Sequence, residues 1–301
     1  AKAWRIVAAV HATVCHWEET AIAQQRAIEH ARAAGLRRQE ARTTAAYTLS
    51  LSEGPTPVPE GIERCREIIA RGFADRQAEA VALCSLASLL ALNGEFEEAR
   101  ELYRRARHLR EDLGATVLAA STSLTSGRVE LLAGDAAAAE ADLRRDDATL
   151  AAIGERYLRP VVLATLAQAV YVQQEHREAE ELAVTASRLA AEDDVEAQAL
   201  WRLVRAKVLS QRGDGLAAEQ LAREAVLALG ESDAPLIRVE ALVDLAEVLS
   251  HDQPVEARAA LHQARELCEL KHMAVPRVRV EALLDALQKD AEPTPPTALA
   301  G

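Results

Sequence analysis

LCSLASLLALNGEFEEARELYRRARHL, residues 83–109, holds a complete helix–turn–helix unit. Leu83, Leu86, Ala87 and Leu90 follow one another at spacings of 3, 1 and 3, which sets all four on one stripe of a helix. Asn93-Gly94 then breaks the pattern with residues that tolerate a left-handed cap. A second amphipathic stretch follows, carrying Ala99, Tyr103 and Ala106 at spacings of 4 and 3. The unit recurs as Leu163, Leu166, Ala167 and Val170 followed by Ala179, Ala183 and Ala186, and as Leu242, Leu245, Ala246 and Leu249 followed by Ala257, Leu261 and Ala264. The small position on the first helix is Ala87, Gly127, Ala167, Ala206 and Ala246, at intervals of 40, 40, 39 and 40. Two antiparallel helices touch there, and a large side chain would push them apart.

This large-large-small-large stripe, with Ala-x3-aromatic on the second helix, resembles the tetratricopeptide pattern. The period exceeds the usual ~34 residues by about six, so each helix should be about one turn longer. Two more pairs are expected upstream, at roughly 3–15 with 19–34 and 36–51 with 59–72. The second is interrupted by Gly54-Pro55-Thr56-Pro57-Val58-Pro59, a stiff, extended loop. A last helix from Pro276 to about Lys289 carries Val278, Val280, Leu283, Leu284 and Leu287 and should cover the open face of the final pair. The expectation is an all-α protein: one right-handed α-solenoid over 1–290, about seven antiparallel helix pairs plus a capping helix. A disordered tail rich in proline (Pro293, Pro295, Pro296) should occupy 291–301.

Composition agrees with helices. Of 301 residues 64 are alanine, against 13 glycines, 10 prolines and 9 aromatics, too few turn formers for a strand-rich fold. Only four of the 35 basic residues are lysines, which with the alanine excess reads as a GC-rich bacterial genome. Set against 47 acidic residues, the net charge of -12 argues against a phosphate-backbone partner. Cys15, Cys65, Cys84 and Cys268 are scattered and read as buried thiols of a reducing compartment. No apolar run is long enough for a membrane span and the first residues lack a secretory leader, so the expected location is the cytoplasm. A chain starting at Ala1 without methionine reads as a piece of something longer.

Chemical motifs are scarce. No phosphate loop, dinucleotide fingerprint, zinc-protease helix, nucleophile elbow or calcium loop is present. His11, Cys15 and His16 would share a face if one helix carried them, but three such residues without a fourth make a poor metal site. Glu97-Glu98, Asp146-Asp147 and Asp193-Asp194 are read as helix-start or outer-face charges, not as catalytic pairs. No cofactor, metal or catalytic residue is expected.

The concave face of the array is the better candidate, because the first helix of each pair lines it. The position after each small slot is Ser88, Arg128, Gln168, Lys207 and Glu247, with Tyr171 nearby. Ser121 opens an unusually polar stretch running to Gly127, where hydroxyls compete with the helix. Trp201 precedes Arg202 and Arg205, which stand where leucines stand elsewhere. An internal ion-pair network, with Asp146, Asp193 or Asp194 as partners, is the favoured account of these arginines. The competing account is an anion-binding patch of Arg128, Arg202, Arg205 and Lys207, in which charge reversal at Lys207 abolishes binding without unfolding.

ASTSLTSGRVELLAGDAAAAEADLRRD (120–146), GERYLRPVVLATLAQAVY (154–171), AAEDDVEAQALWRLVRAKVLSQRG (190–213) and EALVDLAEVLS (240–250) carry a more specific resemblance. They look like the C-terminal repeat region of large bacterial signalling proteins with a class III adenylate/guanylate cyclase domain and an AAA-like signal-transduction ATPase. The resemblance covers essentially 1–290. Cyclase and ATPase motifs are absent from this chain, so no catalytic residue carries over. The resemblance implies a non-enzymatic regulatory or sensor module binding a peptide, a protein partner or its own ATPase domain in the groove, with neither nucleic acid nor membrane as partner. Similar arrays follow the ATPase of maltose-regulator-type transcription activators. The alternatives are therefore an activator's repeat region or a sensor for an anionic metabolite. A long open channel would suit a peptide, and a closed turn with a small deep pocket a metabolite.

Overall fold

The computed structural model describes residues 1–291 and is helical throughout, with no strand among the described residues. Seven antiparallel pairs follow in order: α1 (Lys2–Thr13) with α2 (Trp17–Ala33), α3 (Arg37–Glu53) with α4 (Val58–Ala70), and α5 (Arg76–Asn93) with α6 (Phe96–Asp112). The fourth has a broken first helix, α7 (Thr116–Ala120) and α8 (Thr122–Ala133), paired with α9 (Ala136–Ala152). Then come α10 (Arg159–Val172) with α11 (His176–Leu189), α12 (Val195–Gln211) with α13 (Gly215–Leu229), and α14 (Pro235–Leu249) with α15 (Pro254–Lys271). The cap α16 (Ala274–Ala291) starts two residues before Pro276, since a proline is tolerated in a first helical turn. The expected tail lies, Ala291 apart, outside the described residues.

The architecture is the expected right-handed α-solenoid. From the second pair on, α3, α5, α8, α10, α12 and α14 each pack on the next and form its inner wall. The small positions are fully buried where helices cross: Ala87, Ala167 and Ala206 have no exposed surface. At Gly127 even a Cβ would come within 2.9 Å of Leu143 Cδ1, so the closest approach falls on the one glycine of the series. Asp75 and Asp135 cap α5 and α9 by accepting from Ala78 N (3.3 Å) and Ala138 N (3.0 Å), and Gly94 and Gly134 end α5 and α8 in the left-handed region.

Two local readings are corrected. The helix carrying His11 ends at Thr13, and Cys15 sits at φ 56 in the turn, so His11, Cys15 and His16 share no helix face. Ser121, at the start of the stretch whose hydroxyls are expected to compete with the helix, separates α7 from α8, and its Oγ donates to Leu118 O (2.8 Å). Asp146 is not on an outer face but 2% exposed, matched by Arg107 and Arg145.

The ends of the solenoid meet. Asp233, in the turn before α14, accepts from Trp17 N (2.5 Å) and Glu18 N (2.7 Å) and so caps α2, while its own amide donates to Cys15 O (3.2 Å). At the other junction Lys271, fully buried, donates from Nζ to Leu51 O and Thr56 O (3.3 Å each) and to Gly54 O. Those carbonyls end α3 and open the proline loop, where helix carbonyls need a donor. Gly54 is pressed so tightly that a Cβ would lie 2.7 Å from Ser50 O and 2.8 Å from Trp17 Cβ.

Burial pulls the Lys271 ammonium down to about 8, against the weaker opposing pull of Glu53 and Asp233. Between pH 8 and the ordinary value near 10.5 the unfolded chain holds a proton that the folded chain has released. Stability from this group therefore rises across that window and is lost as pH falls through 8. The buried thiols of Cys65 and Cys268, pushed up to about 12 by desolvation, act oppositely above about pH 8.5. Comparison with Lys271→Met, which keeps the thiols, isolates the lysine. In urea titrations the wild type should gain on the order of 3 kcal/mol on the variant across the window. A pH-independent difference would show that the ammonium stays protonated in its carbonyl cage.

Candidate functional site

Closure leaves a cavity of about 610 Å³ inside the turn, lined by residues of the first six pairs. The linkers supply Cys15 between α1 and α2, Tyr157 and Leu158 before α10, and Ala191, Asp193 and Asp194 before α12. The helices supply Glu53 from α3, Cys84, Ser85 and Ser88 from α5, Leu124, Thr125 and Arg128 from α8, and Glu196 from α12. Tyr157, 65% exposed, and the exposed Asp193 mark its mouth. A cleft of about 750 Å³ on the outside is made by α6 alone and so encloses nothing.

At the cavity floor Arg128 bridges the turn. Its Nη1 donates to Glu53 Oε2 (3.2 Å) and its Nη2 to Glu196 Oε1, partners 75 and 68 residues away in the chain. Burial alone would lower the Arg128 pKa, but Glu196, Glu53 and Glu240 more than offset it and hold the guanidinium charged. Two of these carboxylates, Glu196 and Glu240, are raised in turn. Desolvation lifts Glu196 despite Arg128, and lifts Glu240, half-buried one layer deeper, to about 7. Glu240 shares with Arg128, Gln168 and Arg279 a void of only about 40 Å³.

The inward-facing positions divide along this axis. Ser88, Ser121 and Arg128 line the main cavity and Gln168 the small void. Tyr171, Lys207 and Glu247 form a third layer: Lys207, 2% exposed, pairs with Asp244 (Nζ–Oδ1 3.0 Å) under the Tyr171 ring (4.7 Å), and Tyr171 Oη donates to Glu247 (3.0 Å). Trp201, Arg202 and Arg205 stand apart from the cavity lining. Arg202 lies over the Trp201 ring (4.3 Å) and donates to Gln198 and Glu224, and Arg205 lies over the same ring (5.8 Å).

Two expectations are thereby corrected. Arg128, Arg202, Arg205 and Lys207 do not converge into one anion patch, since Arg128, Arg202 and Lys207 each meet a carboxylate. The partners are Glu53, Glu196, Glu224 and Asp244, not Asp146, Asp193 or Asp194; Asp194 instead caps α12 through Ala197 N (3.0 Å) and lines the cavity. Sequence reasoning also missed Arg110, which sits in a run that reads as a solvated charge face. Extending the stripe Ala99, Tyr103, Ala106 by four would have placed it inside, and all four are buried.

Fold and cavity together define a class: a tetratricopeptide-like α-solenoid closed around an interior chamber. No family model matches the chain, and no curated protein matches it. Among solved structures, the apo form of RapI is similar with a TM-score of 0.59 at 13% identity, over 93% of this chain and 98% of that one. A Rap protein complexed with competence and sporulation factor gives 0.56 at 12% identity, over 91% and 79%. BtubC from P. vanneervenii gives 0.50 at 16%, over 81% and 94%. At such identities the likeness is one of fold. No described helix is long and apolar enough to cross a membrane, and no three His, Cys, Asp or Glu side chains among the described residues cluster as metal ligands.

Proposed function

We propose that the chain is a non-enzymatic binding module whose occupant is a short peptide or chain end held in the central cavity. The observation that carries this reading is the chamber itself, built from six consecutive pairs, of a size within the ordinary range for ligand sites. An occupant there touches first and sixth pairs at once, so its binding energy bears directly on the closure. That a Rap protein of similar fold is complexed with competence and sporulation factor supports a binding role. The resemblance to repeat regions of cyclase–ATPase proteins supports a regulatory role in a longer signalling protein, with the ATPase domain as one source of the bound segment. The acidic floor, where Glu53 and Glu196 flank Arg128, weighs against a polyanionic metabolite.

The test is the melting temperature of the purified chain against pooled short peptides, nucleotides and small metabolic acids. A ligand at a hundredfold excess over its Kd stabilises the folded state by about 2.7 kcal/mol. A peptide-specific rise is expected, and it should vanish in Ser88→Trp, whose indole obstructs the cavity. A rise unaltered by that substitution would place binding elsewhere.

A further inference from the structure

The cavity wall holds one buried cation without a counter-charge. Arg110, in the last turn of α6, is 6% exposed and lines the cavity. Among the described residues its only side-chain hydrogen bond runs from Nη1 to Thr122 Oγ1 (2.8 Å), and its buried Nε has no partner there. None of the ion pairs among the described residues includes it, whereas Arg100 and Arg107 of the same helix meet the buried carboxylates of Glu130 and Asp146. A guanidinium stays charged in any folded protein, so a desolvated one lacking a carboxylate is held at a cost.

Register shows how unusual this position is. Across the second helices the slot of Arg110 is filled by Leu150, Ala190, Leu229 and Cys268, at intervals of 40, 40, 39 and 39. Leu150, Leu229 and Cys268 are at most 1% exposed, so packing at this slot calls for an apolar group. The surroundings are polar as well: Ser85, Ser88, Ser121 and Thr125 line the same cavity. Glu53 from α3, Glu196 from α12 and Asp194 at the cap of α12 also reach the cavity, so it presents both signs of charge. A molecule carrying both signs matches such a chamber better than a simple anion does.

We infer that Arg110 anchors the terminal carboxylate of the occupant, a short peptide with a free C-terminus. The inference rests on the peptide reading above. A planar fork of donors pairs with a carboxylate bidentately, and a dry site strengthens the pair. The hydroxyls of the α5 and α8 wall supply further donors for the carboxylate or the last peptide groups.

The experiment compares two pools of short randomised peptides, identical except that one has free and the other amidated C-termini. Peptides retained by the wild-type chain are identified by native mass spectrometry, and each is then titrated in both forms. Amidation should weaken binding by about tenfold or more. Arg110→Gln, which removes an unpaired buried charge and should melt no lower than wild type, is expected to bind both forms equally and weakly. Arg110→Lys should retain the preference for the free acid. Equal affinity of wild type for both forms, or free-acid binding by Arg110→Gln as tight as wild type, overturns the inference and leaves the peptide reading standing. Retention of no peptide from either pool overturns the peptide reading itself.

Discussion

Arg128→Met should destabilise the chain by about 3–5 kcal/mol at pH 8, the loss expected when one partner of a buried ion pair is removed. Glu53 and Glu196 would lose their shared cation, and Glu240 its nearest opposing charge. The loss should shrink in acid, and its sign follows from the carboxyl groups. Glu196 and Glu240 titrate above their ordinary value because burial desolvates them, and without Arg128 they rise further. Between about pH 4.3 and the raised values the folded variant holds protons that the unfolded chain has released. Stability then falls as pH rises, and the variant recovers toward pH 5. Urea titration at both pH values measures this, with Glu53→Gln/Glu196→Gln in the Arg128→Met background as the rescue. A loss of equal size at both pH values would mean that the side chain acts by packing alone.

Lys207 is the second sensitive point, and its exchange for glutamate should prevent a stable fold. The ammonium and its partner Asp244 are both buried, so reversal puts a second carboxylate beside Asp244 with no water to screen it. The expectation that charge reversal there would remove binding and spare the fold is thus replaced by its opposite. Lys207→Met alone should cost about 3–5 kcal/mol, while Lys207→Met/Asp244→Leu should return to within roughly 1 kcal/mol of wild type, because apolar replacement of a whole buried pair is often neutral. A double-mutant cycle in urea reads the coupling directly. Additive losses would show that the two charges are solvated independently.

Repeat geometry was legible in the sequence because it obeys short-range rules. Ala87, Gly127, Ala167, Ala206 and Ala246 mark helix crossings by size alone and fix the last five pairs, to which the apolar stretches on either side add two pairs and a cap. Of the residues after these slots, Ser88 and Arg128 line the cavity and Gln168 the small void, while Lys207 and Glu247 line neither. Their partners were not legible. Arg128 meets Glu53 and Glu196, and Lys271 meets carbonyls at 51–56, across gaps that depend on how far the solenoid curls. Curl accumulates from small rotations at every pair, and no single motif encodes it. Arg110 was hidden for a different reason: Arg104, Arg105 and Arg107 beside it carry the same charge, and only the stripe's continuation separates the buried one from the rest.

The hydrogen bonds from the first amides of α2 to Asp233 and from Lys271 to the end of α3 join residues 215–220 positions apart. An open repeat array melts as a chain of neighbours, fraying from its ends at little cost. Here each terminus is held by the other, so fraying at either end breaks contacts at both. The expected thermogram is one narrow transition in place of a gradual one, and removal of the first pair should loosen the sixth and seventh as seen by amide exchange. Refolding should be slow for so helical a chain, since the last step brings together segments that hundreds of residues separate and the loop entropy must be met before any of those bonds forms.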